Sequence, residues 1–267
     1  MLSSKEFIKI IYDFYSTNKR SFMWRDVEDS YWIFVSEIML QQTQSYRVEQ
    51  KFEEFINALP TFESLAQAPF FVVLGLWKGL GYNRRAQWLQ QSAQRVMSEF
   101  NGLLPSDPVV LESFKGIGYN TARSISTFAF NLPHVFIETN IRAVFIHHFF
   151  SEREKIADKE LLSLIEETLD KKDPRQWFYA LMDYGVYLKK KHQNPSRRSK
   201  HYTRQSKFEG SDRQIRGQIL EKLLQYGSLN HEGFYDLIMS DSARIDIILE
   251  QLAAEKLIKI SNDFYIL

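Results

Sequence analysis

No stretch before about residue 255 alternates as a strand must, and apolar residues recur instead at the three- and four-residue spacing of helices with one buried face. Phe7, Ile8, Ile11, Tyr12 and Tyr15 mark a first helix. Trp32 to Phe55 reads as helical with a break near Thr43. Shorter helices follow at Phe62–Ala66, Pro69–Trp77, Arg84–Phe100 and Pro108–Phe114, and each gap holds Pro, Gly, Asn or Asp. The first 190 or so residues are therefore expected to be all-α. A chain of 267 residues, 44% hydrophobic, can bury one large core or two smaller ones.

Composition breaks at 189–210. Lys189, Lys190, Lys191, Arg197, Arg198, Lys200, Arg204 and Lys207 fall there with no acid among them, although the whole chain carries only +1. Such a stretch is either a footprint for phosphate or a solvated linker. Beyond it, Asp212–Gln225 reads as a helix with Ile215, Ile219, Leu220, Leu223 and Leu224 on its apolar side. Helices at His231–Met239 and Ser242–Glu255 follow, then Leu257–Ile260, a turn at 261–263 and Phe264–Leu267. Three helices and a β-hairpin are the order of a winged helix. Its third helix, with Arg244 and Lys256, would face a nucleic-acid groove, or the module would dock a protein.

There is no cysteine, so disulfides, thiolate-bound zinc and cysteine-bound iron–sulfur clusters are excluded. The start, Met1-Leu2-Ser3-Ser4-Lys5-Glu6, lacks the pattern of a signal peptide. No apolar run reaches the roughly 18 residues that span a membrane. A soluble protein with no membrane partner is expected, cytoplasmic and nucleoid-associated.

Two segments carry chemistry. Ser36-Glu37-Ile38-Met39-Leu40-Gln41-Gln42-Thr43-Gln44 sets one acid among amides, and on a continuous helix Glu37, Gln41 and Gln44 share a face. Amides donate and accept, as nucleobase edges require; the same face equally suits a helix whose amides touch water. Phe114-Lys115-Gly116-Ile117-Gly118-Tyr119-Asn120-Thr121-Ala122 lies between apolar helical runs. Its glycines permit a tight turn at positive φ and leave backbone N–H groups bare at the next helix start, where a phosphate oxygen can bind. The expected element is a helix-hairpin-helix, which grips a strand without reading its sequence.

The ordered set Trp24-Arg25, Tyr31 through Gln44, Leu76-Trp77-Lys78-Gly79-Leu80-Gly81-Tyr82, Arg85-Ala86, Gly116-Ile117-Gly118 with Thr121-Ala122, Glu138-Thr139-Asn140-Ile141-Arg142 and Met182-Asp183-Tyr184-Gly185 resembles the helix-hairpin-helix (HhH-GPD) DNA glycosylases, and specifically their MutY-type adenine branch. The resemblance runs from about residue 20 to 190. It implies an all-α fold of two subdomains: a glycosylase domain over 1–200, with a six-helix barrel at about 23–129 and a second helical subdomain from 1–22 plus 130–200. The linker and winged-helix-like module occupy 201–267.

It also implies a base-excision-repair enzyme acting as a monomer on double-stranded DNA with a mispaired or damaged base. Such an enzyme extrudes the nucleotide before breaking its N-glycosidic bond. Glu37 matches the catalytic acid, which protonates the leaving purine and helps deliver water. Burial would raise its pKa. Glu138, 101 residues away, matches the carboxylate that stabilises the oxocarbenium-like sugar. Gln41 and Gln42 match a wedge near the extruded base. Tyr82 matches an aromatic inserted beside the opposite base, or packs its glycine turn. Arg25 and Tyr31 line the pocket or buttress it, and Asn140 orients a carboxylate or caps a helix. Lys115, Gly116 and Gly118 in the hairpin, with Arg197, Arg198 and Lys200 in the basic stretch, are expected on phosphates. A monovalent cation at the hairpin backbone is implied too; no other cofactor is required.

Four departures stand out. Glu138 replaces the family's Asp, extending the carboxylate by one methylene. Asn120 stands where bifunctional relatives such as endonuclease III carry a nucleophilic lysine; an amide forms no Schiff base, so a monofunctional enzyme that leaves an abasic site unnicked is expected. The basic stretch stands where most relatives place four cluster-binding cysteines. The segment from about 211 to 267 lacks the pattern of the Nudix-like domain that reads 8-oxoguanine. Adenine opposite 8-oxoguanine or guanine is the expected target. Thymine or uracil mismatched with guanine, or a non-catalytic DNA-binding protein with a degenerate body, are the rival readings. Trp77, Trp88 and Trp177 are expected in the core, and His147-His148 as a structural pair.

Overall fold

The computed structural model describes residues 2–150 and 153–267. In chain order its helices are α1 (Ser4–Asn18), α2 (Ser30–Leu40), α3 (Ser45–Ala58), α4 (Phe62–Gln67), α5 (Phe70–Leu76), α6 (Arg84–Glu99), α7 (Pro108–Glu112), α8 (Tyr119–Phe130), α9 (Thr139–Phe149), α10 (Asp158–Thr168), α11 (Pro174–Lys191), α12 (Asp212–Tyr226), α13 (His231–Leu237) and α14 (Ser242–Ala254). Three short strands, β1 (Ser228–Leu229), β2 (Lys259–Ser261) and β3 (Phe264–Ile266), form an antiparallel sheet in the order β1–β3–β2. The mostly helical expectation holds, with the closing hairpin. Two residues cannot carry an alternation, so β1 left no signal. Leu257 and Ile258, expected in the hairpin, are instead buried in the core just before β2 begins.

The chain divides into two compact units. One comprises the chain up to Glu37 and Pro105–Arg204, the other Ile38–Leu104 and Gln205–Leu267. In the first unit a reciprocal Ser3–Glu6 capping box starts α1, and buried Phe7 meets Phe145 and Trp177 at ring-centroid distances of 5.1 and 6.1 Å. His148 Nε2 lies 3.1 Å from the Tyr184 hydroxyl, and its pKa is lowered to about 4, by burial first and then by His147. That is the structural role expected of the pair. After α8, Asn131 turns the chain at φ 54°, and the following segment is pinned at three points. Thr127 Oγ1 donates to the Leu132 carbonyl (2.9 Å), Phe136 stacks on Phe178 (4.1 Å), and the Ile137 N–H donates to Asn120 Oδ1 (3.0 Å). The start of α9 is thereby held in place.

In the second unit Phe52, Phe55, Trp77, Leu89 and Val96 are buried among α3 to α6. The break near Thr43 is real: α2 stops at Leu40, Gln42 has φ 54°, and Gln44 precedes α3. The continuous face through Glu37, Gln41 and Gln44 therefore does not form. Arg85 explains the break's stability. Its Nη1 donates to the carbonyls of Ile38 (2.9 Å) and Met39 (2.8 Å), and its Nη2 to Thr43 Oγ1 (2.9 Å) and the Gly81 carbonyl (3.0 Å). One guanidinium satisfies the end of α2 and ties it to the Gly79–Tyr82 loop. Trp77 and Trp177 are core, as expected, but Trp88 is only partly buried, with the Arg84 guanidinium 5.4 Å from its ring. The C-terminal helices bury Ile215, Ile219, Phe234, Ile245 and Leu249 in one cluster with Leu74 of α5. Among the described residues no helix is long and apolar enough to cross a membrane.

Candidate active site

Glu37 lies near the end of α2, among Val35, Ile38 and Met39, which are buried. The residue keeps some exposed surface, but protein atoms crowd its carboxylate. Burial is the largest influence on it and pushes its pKa up to about 7; the charge of Glu138 pushes the same way, while Ser124 and Arg25 oppose. Ser124 Oγ sits 2.5 Å from Glu37 Oε2 and 3.0 Å from the Thr121 carbonyl. A hydroxyl has one proton to give. It donates to Glu37 when that group is ionised. When Glu37 carries the proton, Glu37 donates and Ser124 turns to Thr121. The serine thus accommodates both states of the acid.

Glu138 is the N-cap of α9. Its Oε1 accepts from the N–H groups of Asn140 (2.8 Å) and Ile141 (3.0 Å), and its Oε2 from Asn140 Nδ2 (3.2 Å). The helix start orients the carboxylate. Asn140 is thereby an orienting group for Glu138, and the cap is Glu138 itself. Gly185 makes the arrangement possible: a Cβ there would stand 2.5 Å from the Asn140 carbonyl oxygen. Lys189, one turn further along α11, is pushed below its ordinary pKa by burial, against the opposing pull of Glu138.

Arg25 is buried and forms a two-pronged ion pair with buried Asp183, Nη1 to Oδ2 at 2.9 Å and Nη2 to Oδ1 at 3.0 Å. Arg20 Nε adds a third contact to Asp183 Oδ1 at 2.6 Å. The Arg25 guanidinium lies 4.5 Å from the centre of the Tyr179 ring, which in turn stacks on Phe128. Arg25 therefore buttresses. Tyr31 is buried in the first turn of α2, where its N–H donates to Asp29 Oδ1 (2.8 Å). Burial raises the phenol pKa of Tyr179, and the Glu37 charge adds to it.

The hairpin joins α7 to α8. Only Gly116 uses a left-handed backbone (φ 77°); Gly118 is extended and is the N-cap of α8, where its lack of a side chain leaves no local cap bond. The positive φ that the tight turn uses falls on Gly116 alone. Lys115 is exposed. Asn120, opposite the position of a nucleophilic lysine in bifunctional relatives, instead accepts from Ile137 and steadies the approach to Glu138. In the basic stretch Arg197 and Lys200 are exposed. Arg198 is not a free cation: its Nη1 donates to the Phe150 carbonyl and its Nη2 to that of Ile146 (3.2 Å), closing the C-terminus of α9. Its guanidinium is thus engaged with the backbone, whereas its neighbours Arg197 and Lys200 are exposed. Among the described residues no group of three or more His, Asp or Glu side chains is arranged to hold a metal.

The first unit thus gathers Glu37, Glu138, Asn140, Arg25, Tyr31 and Asn120, and adds Ser124, Tyr179, Asp183 and Gly185. The second holds Gln41, Gln42 and Tyr82 around a cleft of its own. Ser124 and Tyr179 read in sequence as ordinary helix positions; only folding reveals their partner.

A carboxyl that holds a proton near neutrality, with a second carboxylate fixed at a helix start nearby, is the equipment of a glycosidic-bond hydrolase. Set in a helix-hairpin-helix body, it is the class of the DNA glycosylases. Residues 35–170 match the HhH-GPD superfamily base excision DNA repair proteins, and the chain belongs to that family. The adenine DNA glycosylase of Mycolicibacterium smegmatis is 30% identical over 93% of this chain and 91% of its own length. That of Buchnera aphidicola subsp. Baizongia pistaciae is 32% identical over 64% of this chain and 49% of its own, so this chain spans about half that relative's length. A solved thermostable thymine-DNA glycosylase superposes with a TM-score of 0.61 at 24% identity, covering 68% of this chain and 86% of that one, a likeness of fold.

Proposed function

We propose that the protein excises adenine mispaired with 8-oxoguanine or guanine from double-stranded DNA, as a monomer and without nicking the strand. The observation that carries this is the Glu37 carboxyl, raised to about 7 and bonded to Ser124. In the protonated form it gives its proton to the departing purine as the N-glycosidic bond breaks and the bonding pair leaves with the base. Glu138, held by Asn140 and the start of α9, faces the positive charge that develops on the sugar. Water then adds to the sugar carbon and its proton returns to Glu37, leaving an abasic site.

Adenine is favoured over pyrimidines because its departure leans on protonation, which a carboxyl with a pKa near 7 can supply. The names of the relatives support the same choice. Asn120 offers no amine for strand cleavage. Exposed Lys115, Arg197 and Lys200 suit phosphates. No step calls on a cofactor. The Lys115–Gly118 turn offers a monovalent cation only backbone oxygens, since none of its side chains carries one.

Glu37→Gln is the test. It keeps the size of the side chain and removes the transferable proton. Excision under single-turnover conditions should be abolished while duplex binding stays within about twofold; a variant that excises at the wild-type rate would remove Glu37 from this role.

A further inference from the structure

In a winged helix the third helix usually enters the groove. Here α14 is poorly equipped for it. Its exposed positions include Ala243, Ile247, Glu250 and Ala254, none of them cationic. Arg244, the cation expected to face DNA, already has an anionic partner at the surface: Nη2 lies 2.6 Å from Asp212 Oδ1 and donates to the Gly210 carbonyl at 2.9 Å. Lys256 falls beyond the helix end. The wing adds Lys259 but also Asp263, together with exposed Ile260 on β2 and exposed Phe264 on β3.

The first helix of the module differs. Arg213 and Arg216 of α12 line a cleft of about 940 Å³ in the second unit, and its other wall carries Gln42, Tyr46, Arg47 and Tyr82. Ile215, Ile219, Leu220 and Leu223 of α12 share one buried core with Leu74 of α5, which itself lines the cleft. The two acids of the cleft are already paired, Glu221 with Lys78 and Glu255 with Arg216. Tyr82 stands on a loop in left-handed geometry, with φ of 94° at Gly79, 73° at Gly81 and 49° at Tyr82 itself. A non-glycine residue keeps such a conformation only where its surroundings hold it. Arg85 and Arg47 hold the backbone of this loop through the Gly81 and Gly79 carbonyls, and Arg213 holds the tip of the Tyr82 side chain. Arg213 Nη1 donates to the Tyr82 hydroxyl at 3.1 Å, and its Nη2 to the Ser206 carbonyl at 2.7 Å, so it ties the 205–207 strap to the Tyr82 loop. Gln205 Nε2 donates to the same hydroxyl.

Aromatic faces, amides and unpaired guanidinium charge are what a nucleotide with a free base needs: a surface to stack on, partners for its edge and a counter-charge for its phosphate. Extruding one base from a duplex strands its partner in that condition. We propose that the C-terminal module engages DNA through α12 and not through α14, and that Arg213 positions Tyr82 to stack on the stranded base in this cleft. Arg213 is a positioning residue, acting through Tyr82. The proposal rests on the base-extruding reading above, and its test is chosen so that the two fail separately.

The probe is a duplex with 2-aminopurine opposite a tetrahydrofuran abasic-site analogue, which holds an unpaired base and nothing to excise. Wild-type protein should bind it and quench the 2-aminopurine fluorescence by stacking. Arg213→Ala should lose the quench and bind the probe about tenfold more weakly, while its affinity for a fully paired duplex changes far less. Tyr82→Phe, which removes only the hydroxyl that Arg213 holds, should weaken the quench and serves if Arg213→Ala does not fold. Ile247→Glu on α14 should leave probe binding and quench at wild-type values. Retained quenching in folded Arg213→Ala and Tyr82→Phe would overturn the proposal, as would absence of a quench with wild type. So would a loss in Ile247→Glu matching that in Arg213→Ala. Quenching by a wild type that excises no base would count against the glycosylase reading alone and leave the cleft assignment standing.

Discussion

Replacing Ser124 by alanine should move the pH dependence of excision in a direction that simple loss of function does not produce. The Ser124 hydroxyl, 2.5 Å from Glu37, serves both protonation states, but it bonds the ionised one more strongly. A hydrogen bond to a charged group contributes roughly 2 kcal/mol and one between neutral groups about 1 kcal/mol. The difference of about 1 kcal/mol corresponds to ~0.7 pKa units. Ser124→Ala should therefore raise the Glu37 pKa from about 7 by that amount. Glu37 acts in its protonated form, so the rate falls as pH rises through its pKa, and the variant should hold its rate to higher pH. At about pH 8, relative to each protein's own acid plateau, the variant should run roughly fourfold faster than wild type. Single-turnover excision between about pH 5.5 and 9 measures this, with Ser124→Thr as the control that keeps the hydroxyl and leaves the limb in place. An alkaline limb that stays put or moves to lower pH in Ser124→Ala would refute the reasoning.

Other consequences follow from the same geometry. The folded pKa of Glu37 lies above its ordinary 4.5, so the native state holds a proton that the unfolded chain releases; stability therefore falls as pH rises from 4.5 to about 7 and stays lower above it. Glu37→Gln removes that penalty and should stabilise the protein by roughly 3 kcal/mol near pH 8, with the gain vanishing below about pH 4, as read by denaturant unfolding. Gly185→Ala places a Cβ 2.5 Å from a backbone oxygen at the start of α9, and should cost about 1–3 kcal/mol in thermal unfolding and slow excision by displacing Asn140. Unchanged stability there would mean that α11 and α9 can separate freely. Arg25→Met leaves Asp183 buried with Arg20 as its remaining guanidinium partner and should destabilise by about 3 kcal/mol in urea; a loss under about 1 kcal/mol would deny Arg25 its buttressing role.

Helix type and order were legible because the apolar spacing is regular, and even the break near Thr43 showed in the polar run Gln41–Gln44. The identity of what holds that break was not: Arg85 lies more than forty residues away and looks like any helical arginine. Glu37 was legible as a lone acid in an apolar and amide-rich run. Ser124 was not, because a serine in the middle of a helix carries no mark of its partner. Asn140 remained open between two roles, since spacing cannot say that Glu138 already caps α9. Charge counting over 189–207 treated eight cations alike, and only the folded chain distinguishes Arg198, which closes a helix, from exposed Arg197 and Lys200. The same limit applied to Arg244, whose position on the third helix suggested DNA and whose partner is Asp212.

The most direct test of the central claim is single-turnover excision on labelled duplexes carrying A opposite 8-oxoguanine, A opposite G, T opposite G and U opposite G, read with and without hot alkali, for wild type beside Glu37→Gln. Strand breaks at adenine, only after alkali and absent in the variant, are the predicted result. Cutting confined to T or U would contradict the adenine assignment, breaks without alkali would contradict a monofunctional enzyme, and tight binding with no excision on any duplex would contradict catalysis by this carboxylate pair.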